Sequence, residues 1–180
     1  MYLSHDRSRP ATDSDGLPPL RGADVMRVDG ALDCVSRKVR HLYDWWSRAA
    51  EGLQLPDWSQ FDVTEHKPVV ANLYLVKRRG PCDWFFAVRG ESAREVFPRS
   101  KAKGPVAEMG DPDRALALNS HYEAVAASGR CYMVRGTILN DRQDLVDIES
   151  IDCPFIDSKH DRLVILGVIE RIAIRPPAHR

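Results

Sequence analysis

The chain has 180 residues, of which 43% are hydrophobic, and its 26 basic residues balance its 26 acidic ones. That length suits one domain with an extra segment and leaves two full domains cramped. A formal charge of zero provides no global field for nucleic acid or an anionic membrane, so either partner needs a local patch. The cysteines, Cys34, Cys82, Cys131 and Cys153, form no CxxC pair, which removes the usual zinc and dithiol patterns and reads as reduced thiols.

Residues 1–29 mix Ser, Asp, Arg, Pro and Gly and are expected to be disordered or loosely attached. They carry no apolar signal-peptide core, and no apolar run reaches the ~20 residues of a membrane span, so a cytoplasmic location is expected. Residues 30–52 read as an amphipathic helix from about Ala31 to Glu51, after Asp29 and Gly30 and stopped by Gly52. Leu32, Val35, Val39, Leu42, Tyr43, Trp46 and Ala50 share its apolar face, with Trp45 beside them. Leu42, Tyr43, Trp45 and Trp46 are its candidate dimer or partner surface.

Residues 53–174 have the texture of one α+β domain. An irregular linker holds Trp58 and Phe61 between Pro56 and Pro68. Strands follow at Val69–Lys77 and Asp83–Arg89, joined by a turn at Arg79-Gly80-Pro81. Only short helices fit 90–110. A longer helix follows, with Asp111 as N-cap, Pro112 in the first turn and Gly129 as the stop. Strands at Arg130–Ile138, Leu145–Ile156 and Leu163–Ile172 precede a loose tail, 175–180. In Leu163–Ile169 both alternating faces are apolar, so both faces of that strand are expected to be covered. The middle helices can cover one face and the Trp-rich helix the other, in its own subunit or across a dimer.

The motifs Leu42-Tyr43-Asp44-Trp45-Trp46, Leu55-Pro56 to Phe61-Asp62, Phe85-Phe86-Ala87-Val88-Arg89-Gly90, Glu95-Val96-Phe97, Tyr122 to Gly129 and Glu149-Ser150-Ile151-Asp152-Cys153-Pro154 occur in an order that resembles a bacterial family of stand-alone PAS-like domains, over roughly residues 37–172. The sequence departs from the family at Phe85 and Ala87, where Arg is common beside the aromatics, and at Glu91, where Thr or Ser commonly follows the glycine. The resemblance implies a five-stranded antiparallel sheet with helices on one face and the N-terminal helix on the other. It also implies a sensory or regulatory role and a homodimer, and it names no ligand.

Candidate ligand contacts follow from strand parity. Asn72 and Tyr74 share one face of the first strand, Trp84, Phe86 and Val88 one face of the second, and Tyr132 lies on the third with Val134. Ile151, Cys153 and Phe155 share a face with Glu149 and Asp147. Glu149 then either points a carboxylate into an aromatic pocket or, if a bulge falls near Ser150, faces solvent. His121, beside Tyr122 on the longer helix, is either a haem or metal ligand or a histidine at the edge of the packed face. The same alternatives, ligand contact or ordinary core, hold for the aromatic set. Arg89, Arg94, Arg99, Lys101 and Lys103, interrupted by Glu91 and Glu95, read as a solvated basic loop and not as a nucleic-acid surface.

With no GxSxG, HExxH or phosphate loop, the expectation is a non-enzymatic module binding a small ligand, a partner signalling protein, or both. The alternatives are a haem- or flavin-binding sensor and a small α+β enzyme or ligand carrier; the cofactor itself is not legible.

Overall fold

The computed structural model describes residues 23–28, 32–51, 55–96, 103–108, 112–139 and 144–173. The chain is α+β, built on one open antiparallel sheet. In chain order its elements are β1 (Ala23–Arg27), α1 (Arg37–Ala49), β2 (Leu73–Gly80), β3 (Asp83–Arg89), α2 (Glu91–Val96), β4 (Gly104–Pro105), α3 (Pro112–Ser128), β5 (Tyr132–Leu139), β6 (Leu145–Asp157) and β7 (Arg162–Arg171). The strands lie in the order β1-β5-β6-β7-β2-β3-β4, so the last strand pairs with the first long one and sits mid-sheet.

This sheet has seven strands where five are expected. β1 forms within the segment expected to be loose, because Ala23-Asp24-Val25-Met26-Arg27 pairs in unbroken register with β5 and sets Val25 opposite Val134 and against the core. β4 is a two-residue edge piece on Phe85 and Phe86. The expected N-cap at Asp29 and Gly30 and the cap at Asp111 lie outside the described residues. α1 starts later than expected, at Arg37, with Ser36 as the N-cap whose hydroxyl accepts from the Val39 amide. The first long strand also starts later. Residues Val63–Asn72 coil into 3-10 turns around Pro68, which cannot donate to a ladder, and β2 begins at Leu73.

The β2–β3 turn is closed by Pro81 and by Cys82, which takes a positive φ of 53°. Glu123 on α3 fastens it, accepting from the Cys82 amide and Trp84 Nε1, both at 2.9 Å. α3 ends at Gly129, whose φ of +62° matches a glycine stop.

Two cores flank the sheet. Tyr74, Val76, Trp84, Phe86, Tyr132, Val134, Ile148, Ile165 and Ile169 pack under α2 and α3. Leu73, Leu75, Met133, Ile151, Cys153, Phe155, Val164, Leu166 and Val168 pack under α1 and the linker residue Phe61. Both faces of β7 are therefore buried, as its unbroken apolar run implies. α1 makes this cover within its own chain, through Val39, Leu42 and Trp46 at i, i+3 and i+7. Trp46 Nε1 also donates to the Pro154 carbonyl at 2.8 Å. No helix among the described residues is long and apolar enough to cross a membrane.

Gly167 is fixed by the ring that lies over it. A Cβ there would fall 2.1 Å from Tyr74 Cζ and 2.4 Å from its hydroxyl oxygen. That ring cannot step aside, because Asp152 holds its hydroxyl. Gly167→Ala is expected to cost about 3 kcal/mol, the upper end of ordinary overpacking. Urea unfolding is the check. Adding Tyr74→Leu removes the obstacle, so the double variant loses less than the sum of the two single changes.

Candidate functional site

β6 runs through the middle of the sheet in continuous register with β5 and β7. Of its three buried acids, Asp157 lies at the strand's end, while Glu149 and Asp152 sit mid-strand, three residues apart and therefore on opposite faces. Each organises a polar cluster.

Asp152 faces α3. Tyr74 donates its hydroxyl proton to Oδ1 at 2.6 Å, and His121 Nε2 lies 2.8 Å from Oδ2. A carboxylate only accepts, so the imidazole must carry its proton on Nε2. In the neutral ring this leaves Nδ1 as a bare acceptor, and it is buried without a hydrogen-bond partner among the described residues. Burial first, and then the Asp152 charge, hold the Tyr74 hydroxyl well above its ordinary range, so it remains a donor. Burial does the same to Tyr122, next to His121. Trp84, Phe86 and Tyr122 fill the space beside this cluster, with the Trp84 and Tyr122 rings 5.8 Å apart and those of Phe86 and Tyr122 6.2 Å apart. The Tyr132 ring stands edge-on to His121 at 6.0 Å.

Glu149 faces α1. It is fully buried, at 0% exposure, and β6 has no bulge at Ser150, so the solvent-facing alternative does not hold. The aromatic-pocket alternative is corrected too. The expected pocket aromatics Tyr74, Trp84, Phe86, Tyr122 and Tyr132 occupy the other face, and the Glu149 carboxylate is engaged by its own chain. It accepts from the Val35 amide at 3.1 Å and the Ser36 amide at 2.6 Å. Arg135, its partner across the ladder, donates from Nε at 2.9 Å and Nη2 at 2.6 Å. Arg135 Nη2 also reaches the Asp33 carbonyl, and the Ser36 hydroxyl donates to Glu170 at 2.5 Å. A carboxylate thus sits at the amino end of α1, where the free amides and the helix dipole both favour negative charge.

The other expected contacts divide as follows. Tyr74, Trp84, Phe86, His121, Tyr122 and Tyr132 do come together on the α3 side. Ile151 is buried on the α1 side. Asn72 lies outside the strand and donates to the Ile169 carbonyl at 2.8 Å, a structural bond. Val88 is 50% exposed, contrary to the shared face expected with Trp84 and Phe86, because a register shift between Leu75 and Val76 breaks the alternation of β3. The same shift buries Arg89, whose guanidinium lies 4.7 Å from the Phe86 ring centre, so it belongs to no solvated loop. Arg99 and Lys101 lie outside the described residues.

The proposed partner surface on α1 is corrected in part. Leu42 and Trp46 are spent on the chain's own sheet, while Tyr43 and Trp45 are half-buried. Trp45 meets Phe61 edge-on at 5.1 Å and stacks toward Phe155.

Sequence reasoning missed Asp152, Ser36, Arg135 and the pair His41–His66. Asp152 had a signal: an acid inside Ile151–Phe155, in a strand covered on both faces, must be partnered. His66 stacks on Phe61 at 4.3 Å and meets His41 Nε2 at 3.0 Å, a contact across distant segments with no local pattern to reveal it. Chemically, the Asp152 cluster offers an oriented acceptor in a buried interior. No hydroxyl or thiol is hydrogen-bonded to His121 Nδ1 among the described residues. The thiols of Cys131 and Cys153, 3.2 Å apart, lie on the α1 side.

No family model matches the sequence, and no curated protein matches it, so the functional reading rests on the chain's own geometry.

Proposed function

We propose that this chain is a cytoplasmic, PAS-like sensory or regulatory module that answers a small ligand or a partner protein and is not an enzyme. The chain order of two strands, helices and three strands supports this reading, as does the division of cover between α3 and α1. The observation that carries it is β6 itself. One strand holds the oriented His121 acceptor through Asp152 on one face and the amino end of α1 through Glu149 on the other.

A signal on the α3 side is a change in what His121 Nδ1 meets: a ligand N–H or O–H satisfies it. The consequence is a small shift of Asp152 and of the strand that carries it. Three residues along, the same strand grips α1, so the α1 cover is the output. A ligand that binds one arrangement of β6 better than another moves the equilibrium between them by that difference in affinity.

Native mass spectrometry of the full chain, incubated with a small-molecule cell extract, tests the ligand half. The parent is expected to retain a mass adduct that His121→Phe loses. A parent that stays bare, or an adduct equally retained by His121→Phe, contradicts ligand sensing at this cluster.

A further inference from the structure

On the α1 side of the sheet, the helix packs over β6 and β7. Beside it lies an open groove of about 440 Å3 lined by Lys77, Arg79, Phe85, Ala87, Lys103 and Arg162. Four of these six are cationic and none is acidic. They come from β2, β3, the residue before β4 and the start of β7, so the charges are gathered by the fold and not by a run in the sequence. Lys77 sits between Phe85 and Val164 in the ladders, which fixes its place at the centre.

Not all four charges are available. Arg79 is paired with Asp83 at 2.8 Å and lies over the Phe85 ring at 5.1 Å. Arg162 donates to Asp157 at 3.0 Å. Lys77 and Lys103 form no ion pair with any described residue. Two ammonium groups without an ion pair among the described residues thus flank a short apolar floor made by Phe85 and Ala87.

We infer that this groove docks an acidic segment of a partner protein. The segment lies extended along the open end of β2 and β3, with carboxylates at Lys77 and Lys103 and one apolar side chain over Ala87 beside Phe85. Charge complementarity selects the acidic partner and steers its approach. The groove is open along its length and its cations are spread over four elements, which suits several spaced carboxylates. Nucleic acid is disfavoured because Phe85 is the single aromatic in the lining, too few for a stacking platform, and the chain as a whole is neutral. The inference extends the partner half of the proposed function. Its readout is peptide affinity at the groove, so its failure is distinguishable from failure of ligand sensing at His121.

Fluorescence anisotropy on the full chain tests it, using a labelled Glu-rich peptide with a central Phe as the probe. A Lys-rich peptide of equal length and a single-stranded oligonucleotide serve as comparisons. The Glu-rich peptide is expected to bind at low salt and weaken as salt rises. Lys77→Glu with Lys103→Glu weakens it about tenfold or more. Both residues are solvent-accessible, and Lys77→Gln with Lys103→Gln, which keeps chain length and adds no charge, is expected to give an intermediate loss. Unchanged affinity in both double variants, no binding by the parent at low salt, or tighter binding of the oligonucleotide overturns the inference.

Discussion

Glu149→Ala is expected to lower the unfolding free energy by about 3–5 kcal/mol, the range for removing one partner of a buried ion pair. Arg135 keeps partial access to water, with 29% of its side chain exposed, and recovers some of the loss. The Val35 and Ser36 amides do not recover it, because they point inward at the vacated space, and the amino end of the helix keeps only the bonds of Ser36 and Lys38 to Glu170 among its described polar ties to the sheet. The loss is therefore concentrated at α1. Glu149→Gln keeps the volume and one acceptor oxygen and is expected to lose less, about 1–3 kcal/mol. Chemical denaturation of both variants gives the ordering. If Glu149→Ala unfolds within about 0.5 kcal/mol of the parent, as an ordinary surface change would, Glu149 is not the clamp described here.

Asp152→Ala carries the second large effect. It strands the His121 Nε2 proton in a buried core and takes from the Tyr74 hydroxyl its acceptor at 2.6 Å. At about 1–3 kcal/mol for the unsatisfied imidazole and about 1 kcal/mol for the lost Tyr74 bond, the loss is roughly 2–4 kcal/mol. Asp152→Asn is the more informative change, because it separates shape from charge. Its carbonyl oxygen still accepts from Tyr74, while its amide turns donors toward His121 Nε2. A donor facing Nε2 forces that nitrogen to accept, and the ring proton moves to Nδ1. Nitrogen-15 NMR of the ring distinguishes the two tautomers directly: the parent is expected to carry its proton on Nε2 and the Asn variant on Nδ1. A parent protonated on Nδ1 would contradict the orientation assigned to His121.

Much of this fold was legible in the sequence, for identifiable reasons. The β7 run Leu163–Ile169 is apolar at both parities, and two covered faces are the only way to bury it. The α1 stripe, Val39, Leu42 and Trp46, has helical period, and with Tyr43 and Trp45 beside it the helix carries too many large rings for a surface helix. Parity along β6 put Glu149 on the face of Ile151, Cys153 and Phe155, and it is there. What parity could not say was which face the aromatic residues take. That depends on how β2 and β3 stack against β7, a long-range matter with no local signature. The shift between Leu75 and Val76 reversed Val88 and Arg89 for the same kind of reason: a bulge changes alternation without a marker in residue type. β1 escaped notice because its five residues sit in a polar segment and gain their order from the long-range pairing with β5 and the packing of Val25 on the core.

Glu149 also shows how a sound placement can support the wrong partner. A buried carboxylate needs donors, and a ligand is one source. Here two backbone amides and an arginine of the same chain supply them. The acid that does leave a polar atom unanswered is Asp152, through His121 Nδ1. The two acids form one account because they share a strand and face opposite ways.

Amide hydrogen exchange in Asp152→Asn tests that account most directly. Asp152 touches nothing on α1 among its described hydrogen bonds, so a local role confines the change to α3 and its contacts. With β6 as the link, exchange at the Val35, Ser36 and Val39 amides is expected to rise by more than at the Val164–Val168 amides of β7, which report global opening. Faster exchange on α3 with the α1 amides moving only in step with β7 would contradict the coupling of the two faces.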